Sequence, residues 1–166
     1  MAMENLKKKF LNPEQAFAKA KHYCAYQERC HREVKEKLYS LGLKKTDVEE
    51  LLARLIEEDY LNEERFAVQF AGGKFRIKHW GKVKINYELK LKGISTYNIK
   101  KALSSLDDAD YRSTLEKEAS AKWKLLRGNQ YIARQVKTQN YLLQKGFELD
   151  LIKIVLQQLK DKTGKE

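Results

Sequence analysis

The chain has 166 residues, with 34 Lys and Arg against 23 Asp and Glu, 8 Gly and a single Pro. This composition favours helices over strands, so we expect an all-α protein. No apolar run approaches the roughly 20 residues that span a bilayer, and no signal-peptide core follows the lysines at positions 7–9. We therefore expect a cytoplasmic protein without membrane contact, and the net charge of +11 favours a polyanionic partner.

The first part of the chain predicts three helices. Asn12 and the proline after it form a strong helix start, and this helix should run to about residue 27. A second helix should begin at Cys30 and end at Gly42 with a left-handed cap. Thr46 opens a capping-box sequence, so we expect a third helix from there to about residue 58.

Three further helices are predicted in the middle of the chain. Asn62 supplies a cap for the fourth helix, whose end should fray or bend at Gly72–Gly73. Gly81 should begin the fifth helix, and Ser95 or Thr96 the sixth. The last part predicts helices over about 108–126, 129–145 and 148–160.

A repeated pattern organises these nine helices. Gly42, Gly93 and Gly146 each follow a leucine by four residues and precede an apolar residue, and they lie 51 and 53 residues apart. Such a period indicates a repeated supersecondary unit. We expect three tandem three-helix repeats over residues 12–61, 62–107 and 108–166, after an N-terminal tail of residues 1–11, in an elongated molecule.

The positive charge is concentrated beyond the first repeat, because the net charge is +1 over residues 1–61, +4 over 62–111 and +6 over 112–166. Nine basic residues between positions 74 and 101 face a single acid, Glu88, and we predict them as the main binding site for a polyanion. The alternative is a solubilising surface. The nine residues are Lys74, Arg76, Lys78, Lys82, Lys84, Lys90, Lys92, Lys100 and Lys101. A secondary basic surface is predicted at Lys122, Lys124, Arg127, Arg134 and Lys137.

The fifth helix has two partly apolar faces. Ile85 and Leu89 share one face, while Val83, Tyr87 and Lys90 lie opposite. Stacked repeats commonly bury such faces, so we expect packing on both sides, and the alternative is that Tyr87 is exposed to a partner or a base.

The other conspicuous side chains favour structural roles. Trp80 at a joint between helices is expected to pack, and so are Tyr60, Tyr111 and Tyr141. On a helical path, a metal set of His22, Cys24, Cys30 and His31 would be scattered around the axis, and the cysteines should be reduced. Phosphate-binding and nucleophile motifs are absent, so we expect no catalytic residue, no cofactor, no metal and no enzyme activity.

Several segments together resemble the RecX family of bacterial recombinase regulators. The likeness covers about residues 16–159. It is carried by Arg29–Val34, by Asp59–Ala67, by Trp80–Ile94 with the family's Gly-x3-Ile-x2-Glu-Leu-x2-Lys-Gly-Ile spacing, and by Leu142 with Gly146–Phe147. Two segments depart from the family pattern: Cys30 stands in place of a serine, and Asn62–Glu63 in place of an acidic pair.

The resemblance implies a curved array of three-helix repeats that lodges in the groove of a RecA filament on single-stranded DNA and modulates the recombinase, usually by inhibition. We expect a monomer that binds this filament. The basic charge by itself would also allow a general nucleic-acid-binding helical protein, and a metal-dependent enzyme is a remote third hypothesis.

Overall fold

The computed structural model describes residues 10–164, which form nine α-helices and no strand. The predicted all-α class is confirmed. The parts of the predicted tails at residues 1–9 and 165–166 lie outside the described residues. The helices are α1 Pro13–Tyr26, α2 His31–Ser40, α3 Lys45–Glu57, α4 Glu63–Lys78, α5 Lys82–Leu91, α6 Thr96–Ser104, α7 Asp108–Leu125, α8 Tyr131–Lys145 and α9 Leu149–Thr163.

Helix packing falls within consecutive triplets. Helices α1–α3 pack on one another, as do α4–α6 and α7–α9, and contacts between triplets are confined to their junctions. Three-helix units repeated along the chain are the architecture that the glycine spacing predicts. We refer to the triplets as repeats 1, 2 and 3.

Each repeat begins its third helix in the same way. A left-handed glycine ends the preceding helix, at φ of 89° for Gly42, 78° for Gly93 and 92° for Gly146. The next residue is buried, and a second buried residue follows five positions later. These two residues occupy the N′ and N4 positions of a hydrophobic staple, which fixes where the helix starts. The pairs are Leu43 with Val48, Ile94 with Ile99, and Phe147 with Ile152.

The staple explains one wrong prediction. The capping box expected at Thr46 does not form, because α3 begins two residues earlier with Lys44 as its N-cap and without a side-chain cap. The predicted caps at Asn12 and Asn62 are confirmed, and of the two predicted starts of α6 the structure has Ser95 as the N-cap. Each of these side chains accepts a hydrogen bond from the amide three residues later.

Fraying of the helix end at Gly72–Gly73, one of the two predicted outcomes there, does not occur. Helix α4 continues through both glycines to Lys78, and Gly72 is buried in the core, where helix packing outweighs the conformational freedom of glycine. Two boundaries in repeat 3 shift as well: α8 begins at Tyr131 instead of residue 129, and α9 runs to Thr163 instead of residue 160.

The hydrophobic core is divided unequally. Repeat 1 encloses its own cluster, built around Val34, Leu38, Val48 and Leu55. A second, larger cluster runs through repeats 2 and 3 without a break, and Cys30 of repeat 1 reaches into it. Repeats 2 and 3 therefore share buried apolar surface, whereas repeat 1 adds little apolar surface to them.

Two glycines bring repeats 2 and 3 into direct backbone contact. The amide of Gly81 donates to the Lys145 carbonyl at 2.8 Å, and the amide of Val83 donates to the Gly146 carbonyl at 2.9 Å. A Cβ atom on Gly81 would lie 2.3 Å from the Gly146 oxygen. The amide end of α5 is thus joined to the carbonyl end of α8, which satisfies groups that helix ends leave unpaired.

Side chains join repeats 1 and 2 at the equivalent position. The Arg32 guanidinium donates to the Leu91 carbonyl at the end of α5, and Lys92 pairs with Glu33 at 3.6 Å. Arg65 of repeat 2 pairs with Glu28. This junction is polar and lacks the backbone bonds that link repeats 2 and 3.

Candidate functional site

The nine basic residues predicted as the main site do not form one uncompensated cluster. Three of them pair with acids from outside the segment: Lys82 with Asp108, Lys92 with Glu33, and Lys101 with Glu64. These pairs lie at junctions or between helices of one repeat. A local count of charges could not detect them, because the acids are distant in sequence.

Two of the remaining lysines gather around Trp80. The ammonium group of Lys74 lies 5.0 Å from the centre of the indole ring and that of Lys84 lies 4.5 Å from it. Trp80 itself is half-buried against the core of repeats 2 and 3, as its predicted structural role requires. Because a tryptophan face attracts cations, the ring holds two positive charges together at the start of α5.

The outer face of α5 is exposed, which overturns the expected packing on both sides. Val83, Tyr87 and Leu91 are 54%, 60% and 51% exposed, and their spacing of four residues places them in one row. None of the nine described helices covers this row, because α5 packs within its triplet through the face of Ile85 and Leu89. The structure has the alternative arrangement, in which Tyr87 is exposed.

Basic side chains flank the exposed row. Lys84 and Lys90 lie three residues before and after Tyr87 on the helix surface. Arg76 and Lys78 at the end of α4 and Lys100 on α6 are exposed as well. We call the row with Lys74, Lys84 and Lys90 the α5 surface, since it combines apolar contact area with positive charge.

A hydrogen-bonded group at the junction of repeats 2 and 3 was not predicted. Tyr141 donates to the Glu118 carboxylate at 2.6 Å, and His79, in a left-handed conformation at φ of 54°, contacts the same carboxylate. Burial opposes ionisation of Glu118, but these hydrogen bonds and nearby positive charge outweigh it and lower its pKa. Burial and Glu118 raise the pKa of Tyr141 to about 12. The group joins α4, α7 and α8.

Only some residues of the predicted secondary basic surface are exposed. Arg134 is 8% exposed, donates through Nε to the Trp123 carbonyl at 2.7 Å, and stacks on the Trp123 ring. Its place is in the packing of repeat 3, because a planar guanidinium fits an aromatic face. Lys122 lies over Tyr141, and Lys137 bonds to Asn129. Lys124 and Arg127 line a groove between α7 and α9.

The cysteines Cys24 and Cys30 are free and buried. Burial raises the pKa of both thiols, which disfavours the reactive thiolate. Within residues 10–164, no group of three or more His, Cys, Asp or Glu side chains has an arrangement that could hold a metal ion. None of the helices in this part of the chain is both long and apolar enough to cross a bilayer.

The fold and the repeat pattern define a class of protein, an all-helical array of three-helix domains. Two family models of this class match the chain: the second three-helix domain of RecX over residues 62–103 and the third over residues 109–156. The chain belongs to the RecX family. These matches include the α5 surface and the α7 wall of the groove between α7 and α9, whereas Lys162 and Thr163 at the end of α9 lie beyond them.

Curated relatives and solved structures agree with this assignment. The regulatory protein RecX of Bacillus licheniformis is 30% identical over 148 residues, which are 87% of this chain and 55% of the relative. That of Bacillus cytotoxicus is 24% identical and is covered to 55%. The chain thus spans about half the length of the curated relatives it matches. The crystal structure of RecX from Lactobacillus salivarius superimposes with a TM-score of 0.81 at 26% identity, covering 89% of this chain and 96% of that one.

Proposed function

We propose that this protein binds RecA-type recombinase filaments on single-stranded DNA and lowers their ATPase and strand-exchange activity. Family membership supports a regulatory role, since the relatives are named regulatory proteins. That the target is a RecA-type recombinase is inferred from the resemblance to the RecX family. We further propose that the protein acts in the cytoplasm as a monomer, without catalysis of its own, through repeat units 12–61, 62–107 and 108–166.

The observation that carries the proposal is the α5 surface. A row of three exposed apolar side chains beside three lysines is unlike a solvated helix, whose outer face is polar. Apolar rows of this kind suit contact with a protein, and the flanking lysines suit acidic side chains or phosphates. A filament of recombinase on DNA offers both a protein surface for the apolar row and phosphates for the lysines. The ion-paired Lys82, Lys92 and Lys101 contribute less, because their charges are already compensated within the protein.

The test compares binding to preassembled filaments with binding to the bare strand. Labelled protein is titrated against RecA filaments on an oligonucleotide and against the same oligonucleotide alone, while ATP hydrolysis is followed. We expect tighter binding to filaments and a fall in ATPase rate. Equal affinity for the two, with no effect on ATPase, would favour a general nucleic-acid-binding protein and contradict the proposal.

A triple variant locates the contact. Replacing Lys74, Lys84 and Lys90 by Gln retains helix propensity and should weaken filament binding about tenfold, if each lost ionic contact contributes roughly 0.5 kcal/mol. A matched control removes the same charge elsewhere, through Gln at the exposed Lys35, Lys44 and Lys153. If both variants bind filaments with wild-type affinity, the α5 lysines only solubilise the protein.

The apolar part of the surface needs its own variant. Tyr87→Ser removes the one aromatic ring of the row and leaves the core untouched, so the free energy of unfolding should stay within about 0.5 kcal/mol of wild type. Filament binding should weaken, because aromatic side chains are common anchors of protein interfaces. If Tyr87→Ser binds filaments with wild-type affinity, the exposed row on α5 is not part of the interface.

A further inference from the structure

Repeat 3 contains an open groove. It lies between α7 and α9 and has a volume of about 1080 Å³. Helix α9 has 15 residues, whereas the corresponding α6 of repeat 2 has 9. The extra turns of α9 extend alongside the last turns of α7 and form the second wall. We call this feature the α7–α9 groove.

The lining of the groove is strongly basic. Among residues 10–164, five positive side chains line it against one acid, Glu116. The positive side chains are Lys117, Lys124, Arg127, Arg134 and Lys162. On α7, Lys117 and Lys124 are seven residues apart, so both lie on the face turned to the groove, and Lys162 faces them from α9. Like charges gathered on two facing helices repel one another, and a bound anion relieves that repulsion.

The floor of the groove is built and held in place. Trp123 is 3% exposed, and its indole N–H donates to the Thr163 hydroxyl at 3.3 Å, which ties α7 to the end of α9. The guanidinium of Arg134 lies over the Trp123 ring, 4.0 Å from its centre, and places a buried positive charge at the floor of the groove. Walls fixed in this way lose little conformational entropy when a ligand binds.

The shape of the groove indicates which anion it takes. Its wall on α7 runs from Ser113 to Lys124, a length of about 17 Å at 1.5 Å per residue, and Arg127 follows just beyond the helix end. Successive phosphates of one strand advance about 3.4 Å along the axis of a stacked helix, so several of them fit this length. The aromatic residue in the lining, Trp123, is buried and offers no ring to stack a base on. Contact is therefore with the backbone and not with base faces.

We propose that the α7–α9 groove binds the phosphate backbone of one nucleic-acid strand directly, without a recombinase. This site is separate from the α5 surface. The proposal goes beyond filament binding and holds or fails independently of it.

The experiment measures binding of the full chain to a bare, labelled oligonucleotide over a range of salt concentrations. The groove variant carries Gln at Lys117, Lys124 and Lys162, and the charge-matched control carries Gln at Lys35, Lys44 and Lys153. If the three groove lysines each contact a phosphate, the slope of log affinity against log salt should fall by about 2. Affinity near 0.1 M salt should then drop by about two orders of magnitude, while the control changes far less.

Three further arms decide the outcome. The α5 triple variant should bind the bare strand like wild type, which separates this site from filament binding. A duplex of equal length should bind more weakly than the single strand, and poly-glutamate should not compete at equal charge. The proposal is overturned if groove variant and control lose affinity equally, if the duplex binds as tightly as the strand, or if poly-glutamate displaces the oligonucleotide.

Discussion

The contact between Gly81 and Gly146 offers the sharpest perturbation of the fold. Gly81→Ala places a methyl group 2.3 Å from the Gly146 oxygen and 2.4 Å from the Phe147 nitrogen. These are backbone atoms and cannot rotate away, so the start of α5 and the end of α8 must separate. We expect this variant to loosen the junction of repeats 2 and 3.

The loss in free energy of unfolding follows from the hydrogen bonds that this separation breaks. Two backbone hydrogen bonds cross the junction, from the amides of Gly81 and Val83 to Lys145 and Gly146, and each is worth about 1 kcal/mol. Alanine is also a poorer N-cap than glycine by up to about 1 kcal/mol. The free energy of unfolding should therefore fall by about 3 kcal/mol, a large part of the roughly 5–15 kcal/mol that holds a domain together.

Urea unfolding followed by circular dichroism measures this change, and hydrogen exchange at the Gly81 and Val83 amides localises it. The matched control is Gly73→Ala, a glycine inside α4 whose added carbon would meet no described atom within 4 Å apart from the adjacent backbone of its own helix. That substitution should stabilise the protein by about 0.5–1 kcal/mol, because glycine is unfavourable in a helix interior. A Gly81→Ala protein as stable as wild type, with protected amides, would refute the reasoning.

Two further predictions concern local features of the repeats. Gly93 has φ of 78°, so Gly93→Val should lower thermal stability by roughly 1–2 kcal/mol, and an unchanged melting temperature would contradict its role as a left-handed cap. The lowered pKa of Glu118 means that its carboxylate stabilises the fold fully above its ordinary pKa of 4.5 and loses this effect as pH falls through the lower, folded value. Glu118→Gln should therefore be less stable than wild type at neutral pH, and urea unfolding near pH 3 should show a smaller difference; an equal difference at both pH values would contradict the assignment.

The sequence predicted most helices because their signals are local. Asn12, Asn62 and Ser95 cap helices as their residue types favour, and the three glycines have the positive φ that repeated helix ends require. Such features depend on a few neighbouring residues, so they can be recognised without knowledge of the packing.

The candidate site was harder to predict because it depends on contacts between distant segments. The pairing of Lys82 with Asp108 and of Lys92 with Glu33 requires the repeats to be assembled, and composition over a local window cannot show it. Burial of Arg134 against Trp123 is equally non-local. The exposed row on α5 was visible in the sequence as a second apolar face, but only the triplet packing decides whether a neighbour covers it.

The wrong start of α3 shows which sequence signal is the stronger one in this chain. The local motif at Thr46 places the N-cap four residues after Gly42, whereas the repeat register places it two residues after each glycine, at Lys44, Ser95 and Glu148. The side chains at these three positions differ, and only Ser95 makes a side-chain cap. What the three positions share is the buried pair around them, such as Leu43 with Val48. Burying two aliphatic side chains is worth several kcal/mol and a cap about 1 kcal/mol, so the staple sets the helix start and the capping residue is free to vary.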